Sequence, residues 1–230
     1  MKKMIVILSL AVLVITGCSA APKKMEQETM RAPAAEGFDL RNVYSMQRSY
    51  WSSKSADGQV RVVRFKAYVL KETSKDANYG RVIVYLEDPN NMDLLQKIVD
   101  NKNFVFQSDW AGAEPNLSLN KKDSLLIQSG NEGIGRTAWS ETVTANYRNG
   151  QIAVIGYDAS EIDKVGEYPG TICSVNFSTG RGWVDVYPPM APDYEGDATP
   201  KRTNFTVPRG LKKLQDWTQE SRPKECYGTK

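Results

Sequence analysis

Histidine is absent from all 230 residues of this chain. Its absence excludes Ser-His-Asp and Cys-His nucleophilic catalysis, along with every metal site that relies on imidazole. Carboxylates, Lys, Tyr and Ser are left to carry any chemistry. Cysteine is scarce, with only Cys18, Cys173 and Cys226. Long apolar runs are missing too, since the stretch from Met4 to Ile15 falls short of the roughly 20 residues that a membrane-spanning helix needs. A strong charge of one sign is also lacking. The formal net charge of +3 includes Lys2 and Lys3, and because no acidic residue precedes Cys18, the chain from that cysteine onward carries only +1. Nucleic acid is therefore not an expected partner, and no cofactor is implied.

What the N-terminus does hold is Lys2 and Lys3, an apolar stretch, and then Ile15-Thr16-Gly17-Cys18. Charged, apolar and small-residue regions in that order describe a secretory signal. The last four residues resemble the lipobox of bacterial lipoproteins. That resemblance implies that Cys18 receives a diacylglyceryl thioether and further acylation such as palmitate, and becomes the first mature residue. It also implies that Ser19, standing where Asp would retain the protein, directs it to the periplasmic side of the outer membrane. Two or three acyl chains, at about 0.8 kcal/mol per buried methylene, hold a protein firmly on a bilayer. The expected organisation is a signal peptide at 1–17, a lipid-anchored flexible tether at 18–37, and a single β-rich periplasmic domain at 38–230.

In an oxidising compartment the even pair Cys173 and Cys226 is expected to form one disulfide, stapling the tail to the core. The expected fold class is α+β, mainly antiparallel β, a meander of hairpins with one or two helices. Gln59 to Leu70 alternates as a strand, and Arg81 to Leu86 is apolar on both faces, as in a central strand. Met92, Leu95, Ile98 and Val99 recur at helical spacing, predicting a helix over Asn91 to Lys102. Leu211, Leu214 and Trp217 predict a second, over Gly210 to Gln219. Asp193 to Pro208 reads as a long polar loop.

Asn149-Gly150 is the preferred pair for a two-residue type I′ turn, because both central residues need positive φ. That turn places Tyr147 opposite Ile152, Ala145 opposite Val154 and Trp139 opposite Ser160. A second hairpin is expected at Ser178-Thr179-Gly180-Arg181, with Val175 facing Val184 and Cys173 facing Val186.

The first register also sets Glu141 opposite Asp158 on the core side. Like charges so placed are destabilising unless something neutralises them. A basic clamp from Arg64, Lys66 or Arg136 is one answer. A bound cation is another, with Glu161 and Asp163 adding the oxygens that calcium wants. A third is acid/base work on a glycosidic bond, since retaining glycosidases hold two carboxylates about 5 to 5.5 Å apart. Gly130 to Arg136 is glycine-rich but lacks both the Gly-Lys-Ser/Thr ending and the G-x-G-x-x-G spacing, so it reads as a connector. Tyr50, Trp51, Trp110, Trp183 and Tyr187 would serve as core or as a binding surface.

The stretch 147–180, with Tyr-Arg-Asn-Gly, Val-Ile-Gly-Tyr-Asp and Ser-Val-Asn-Phe-Ser-Thr-Gly, resembles a β-rich module of exported bacterial proteins. The resemblance implies antiparallel strands and an exported setting, and brings no catalytic residues. Charge is uneven near the C-terminus: Asp185, Asp193, Glu195 and Asp197 precede a tail rich in Lys and Arg, including Lys212 and Lys213. These features together point to a lipoprotein that binds a protein partner rather than an enzyme, with Asp193, Glu195, Lys212 and Lys213 as partner-binding residues. An immunity or inhibitor protein neutralising a periplasm-acting toxin is its most concrete form. An envelope-assembly accessory lipoprotein and a carboxylate-based peptidoglycan glycosidase are the alternatives.

Overall fold

The computed structural model describes residues 39–54, 59–73, 78–88, 91, 95–107, 114–133, 135–167, 169–189 and 199–227. The signal, Cys18, the tether, Trp110, Asp193 and Glu195 lie outside the described residues.

Two antiparallel sheets pack face to face. The smaller runs in sequence order through β1 (Val43–Lys54), β2 (Val60–Leu70), β3 (Tyr79–Glu87) and β4 (Leu95–Phe106). The larger holds β5 (Asn116–Leu119), β6 (Leu125–Asn131), β7 (Thr137–Arg148), β8 (Gln151–Asp163), β9 (Gly170–Asn176), β10 (Arg181–Tyr187) and β11 (Lys201–Thr206), again neighbour to neighbour. A two-residue strand, β12 (Lys212–Lys213), joins it by pairing with β8. Each sheet turns an apolar face to the other, and the two faces meet in one core, while β2 and β3 are buried on their outer face as well. Phe65, Val69 and Val84 enter it from the small sheet, and Ile127, Val143 and Tyr157 from the large one. Trp51 stacks on Phe65 at 3.6 Å between ring centroids and reaches Tyr147 of the other sheet at 6.3 Å.

The β-rich, antiparallel expectation is met, but neither expected helix forms. Residues 95–106 are strand β4, and an irregularity at Ile98 explains the helical look of their sequence. Val84 pairs with Val99 while Tyr85 pairs with Lys97, so Ile98 is an extra residue on β4. A second shift falls between Gly80 and Val82. Bulges stretch the local period of two towards three, and the apolar residues fall at helix-like spacing. In the tail, β12 and a single 3-10 turn at Leu214–Asp216 replace the second helix. Leu214 and Trp217 are buried there all the same, because a 3-10 turn aligns positions three apart. The expected polar loop contains β11, whose side chains are almost all solvated, as suits an edge strand carrying Lys201 and Arg202.

The Asn149-Gly150 turn forms with φ of 50° and 81°, and Arg148, Tyr147 and Ala145 meet Gln151, Ile152 and Val154 as expected. Beyond that point the register departs. Thr144 pairs with Gly156 while Ala145 pairs with Val154, leaving Ile155 as a bulge on β8. Trp139 therefore faces Glu161, and Glu141 faces Ala159. The second hairpin closes through four residues rather than two, so Val175 faces Gly182 and Cys173 faces Val184. A shift of two keeps every side chain on its expected face; a shift of one does not.

The far side of the small sheet has its own buried cluster of Tyr68, Leu70, Ile83 and Tyr85. Beside it, Arg48 donates to Glu87 from both Nε and Nη2, at 2.8 and 3.2 Å, with the Lys66 ammonium 3.6 Å from the same carboxylate.

Candidate functional site: the tail clasp and the cavity beside it

β8 carries two partners end to end on one edge. β9 pairs with residues up to Gly156, and β12 takes over at Val154 and Ala153. The Ile155 bulge marks the change, and its carbonyl still accepts from Phe177 N–H at 3.0 Å. The tail thus occupies the edge that β9 vacates when it turns into its hairpin.

From there the tail crosses to the small sheet. Asn101 Nδ2 donates to the carbonyls of Leu214 and Trp217, both at 2.8 Å. Gln215 pairs with the Asp100 backbone in both directions, accepting from its N–H at 2.6 Å and donating to its carbonyl at 3.0 Å. A side chain here supplies what another strand would have supplied. Trp217 packs against Tyr157 and Phe177, with the Lys212 ammonium 5.8 Å from its ring centre. The Cys173–Cys226 disulfide forms, with Cα atoms 5.2 Å apart, and fastens the end of the tail to β9.

Glu141 lies under this clasp, only 6% exposed. Its Oε1 accepts from Ser129 Oγ at 2.9 Å and from Arg222 Nη2 at 2.5 Å, and its Oε2 accepts from the Tyr157 hydroxyl at 3.0 Å. Tyr157 spends its proton on Glu141 and is hydrogen-bonded in turn to the Tyr227 hydroxyl. Burial, reinforced by the Glu141 charge, pushes the Tyr157 phenol far above its usual range. Burial likewise raises Tyr227. For Arg222, burial acts to lower the pKa, but Glu141 and the neighbouring tyrosines outweigh it and the net direction is up. The network holds a charged Arg222 against a carboxylate whose oxygens are all engaged.

The expected pairing of Glu141 with Asp158 does not occur. Asp158 stands opposite Thr142 and is exposed, so the two carboxylates point to opposite faces of the large sheet. The Ile155 bulge is the physical cause. The cation site and the glycosidase geometry built on that pair both lose their basis. Of the expected clamps, Lys66 lies by Glu87, Arg136 grips Asp163 at 2.7 and 2.8 Å and Glu167 at 2.6 Å, and Arg64 is exposed on β2. The guanidinium that meets Glu141 is that of Arg222. Asp163 also caps the following turn through the N–H groups of Val165 and Glu167. Among the described residues no three acidic or cysteine side chains gather as a metal site would require.

The aromatic residues divide. Trp51 is core, whereas Tyr50 is exposed. Trp183 lies half-buried under the Arg202 guanidinium, 4.0 Å from its ring centre, and Arg202 also grips Asp185 at 2.6 and 2.7 Å. Lys212 and Lys213 are both exposed on β12 and make no ion pair with a described residue. Nothing in the sequence groups Arg222, Ser129, Tyr157 and Tyr227, since they come from three separate parts of the chain, β6, β8 and the tail.

Beside the clasp, Trp139, Glu161, Thr171, Arg222 and Tyr227 line an open cavity of about 190 Å³. No protein-family model, no curated protein and no solved structure matches the chain. Its geometry defines a two-sheet antiparallel β-sandwich closed along one side by a disulfide-anchored tail.

Proposed function

We propose that this chain is a lipid-anchored periplasmic binding protein whose partner presents an acidic face to the tail strand β12. One observation carries the reading: the ladder to Ala153 and Val154 fixes the backbone of Lys212 and Lys213, while both ammonium groups stay exposed without an ionic partner among the described residues. The three arginines of the tail are committed elsewhere, whereas Lys201 and Lys224 are exposed like the β12 pair but lie outside that strand's ladder. Arg222 serves Glu141, Arg202 serves Asp185, and Arg209 donates to the Thr179 carbonyl at 3.1 Å. Charge placed on a rigid element steers encounter and fixes orientation more than it adds raw affinity. The lipobox supports attachment through Cys18, which would concentrate the protein at the outer membrane. An immunity or inhibitor protein against a periplasm-acting toxin is the form of partner binding we favour.

The test has two parts. Wild-type protein should partition into the detergent phase and Cys18→Ala should not, undiminished partition of the variant being fatal to the anchor. In cells challenged with envelope-directed toxins, Lys212→Glu with Lys213→Glu should abolish the protection that wild type confers while the fold persists. Full protection by the double reversal would remove the docking assignment.

A further inference from the structure

The cavity beside the clasp has a composition that the clasp does not explain. Two of its lining residues are aromatic, Trp139 and Tyr227. Trp139 is set by an edge contact with Phe106, at 5.3 Å between ring centres. Tyr227 is fixed by the adjoining disulfide at Cys226 and by its hydrogen bond to Tyr157, yet stays 37% exposed. Glu161 shares the lining with them, cross-strand from Trp139 on β7 and from Thr171 on β9.

The charges in the lining are not equivalent. Arg222 and Glu141 neutralise each other across 2.5 Å, so neither is available to a ligand of opposite sign. Glu161 makes no ion pair with a described residue, and its charge is felt at the Tyr227 phenol, where it adds to the upward shift. One uncompensated carboxylate in a cavity that two aromatic rings also line attracts a cation twice over, through the ion pair and through the ring quadrupoles. The space, about 190 Å³, exceeds by several-fold the roughly 30 Å³ share of one water and takes a small organic group. A hydrated metal ion would find only one free carboxylate, too few oxygens for calcium.

We infer that the Trp139–Glu161–Tyr227 cavity is a binding site for an alkylammonium or guanidinium group. The cation comes either from a basic side chain of a partner protein or from a free amine. The site differs from the cationic β12 surface in place and in sign, and it stands whether or not the docking assignment holds.

Fluorine NMR on the full chain in detergent, labelled with 5-fluorotryptophan, tests this, the Trp139 resonance being assigned with Trp139→Phe among the five tryptophans. The probes are N-acetyl-lysine methylamide, the arginine equivalent, butylamine, and N-acetyl-norleucine methylamide as the uncharged match for lysine. At least one cationic probe should shift the Trp139 resonance saturably, with half-saturation near about 1 mM, a free energy of about 4 kcal/mol. Norleucine should bind at least about tenfold more weakly, as expected when the charge is the recognised feature. Glu161→Gln should weaken the cationic probe by at least about fivefold while the other four tryptophan resonances stay in place. A capped residue binding tighter than butylamine identifies a protein side chain as the source, and the reverse identifies a free amine; both sustain the site. No saturable shift with any cation, an equal response to norleucine, or unchanged affinity in a folded Glu161→Gln would overturn the assignment.

Discussion

Arg222 donates to Glu141 across 81 residues of sequence, Nη2 to Oε1 at 2.5 Å, and with this contact the tail is tied to the centre of the large sheet. The Arg222 side chain is 18% exposed and that of Glu141 7%, so the pair is mostly removed from water. Both ions have been desolvated, and each is needed to offset the cost of the other.

Removing one member should therefore do more harm than removing both. Arg222→Ala leaves Glu141 buried with only two neutral donors, and a loss of about 3 kcal/mol or more is expected by urea unfolding. Arg222→Met combined with Glu141→Leu should be appreciably milder than Arg222→Ala alone, because no uncompensated charge remains. If all these variants unfold at the wild-type midpoint, the clasp contributes nothing to stability.

The disulfide secures the same end of the tail four residues further on, at Cys226. It closes a loop across a separation of 53 residues, for which the chain-entropy model gives roughly 4 kcal/mol, with measured values often lower. Cys173→Ala with Cys226→Ala should lower the denaturant midpoint accordingly. Thiol titration of unfolded, unreduced Cys18→Ala protein should find none free, and a count of two would show the bond absent.

Tyr68 offers a gain in stability. Its side chain is fully buried, and its hydroxyl has no hydrogen-bond partner among the described residues. Burial pushes that phenol well above its ordinary range, and the Glu87 charge adds to the effect. Tyr68→Phe removes a desolvated, unsatisfied group and should raise stability by up to about 1 kcal/mol. A loss of similar size in thermal unfolding would mean that the hydroxyl is satisfied.

Acid should weaken the fold through Asp100. The Arg81 guanidinium, donating at 2.5 and 2.6 Å, holds the Asp100 carboxyl below its usual range against the opposing effect of burial, and Lys97 assists. A lowered folded-state pKa means that the unfolded chain binds more protons around the ordinary value of about 3.9. The stabilisation is thus complete above that value and disappears as pH falls through the lower folded one. Asp100→Asn should be less stable at neutral pH and should show a shallower loss of stability below about pH 4. An unchanged acid slope would place the acid-sensitive group elsewhere.

Six of the twelve strands among the described residues, β2, β3 and β7 to β10, were legible because period-two alternation and turn chemistry are local. Val60 to Leu70, the Asn149-Gly150 turn and the faces of the Phe177–Arg181 hairpin follow from residues within a few positions of one another. Bulges are not written so plainly. Ile98 and Ile155 look like ordinary strand residues, yet the first imitates helical spacing and the second sends Asp158 to the opposite face from Glu141. The site itself depends on long-range pairing. Nothing near Arg222 in sequence points to Glu141, and an apolar spacing of three in the tail is compatible with either an α-helix or the 3-10 turn that forms. The cysteine pair was legible without geometry, because only two cysteines follow Cys18.

Photo-crosslinking in intact cells tests the proposed docking face most directly. A photoreactive amino acid at Lys212 or Lys213 should give one discrete protein adduct, whereas the same group at exposed Asp158, on the outer face of the large sheet, should give none. Charge reversal at the unlabelled lysine should cut the adduct yield, and added salt should do the same, as expected for steered association. A partner-binding account centred on β12 predicts that pattern. Equal labelling from Asp158, or an adduct indifferent to both charge reversal and salt, would contradict it.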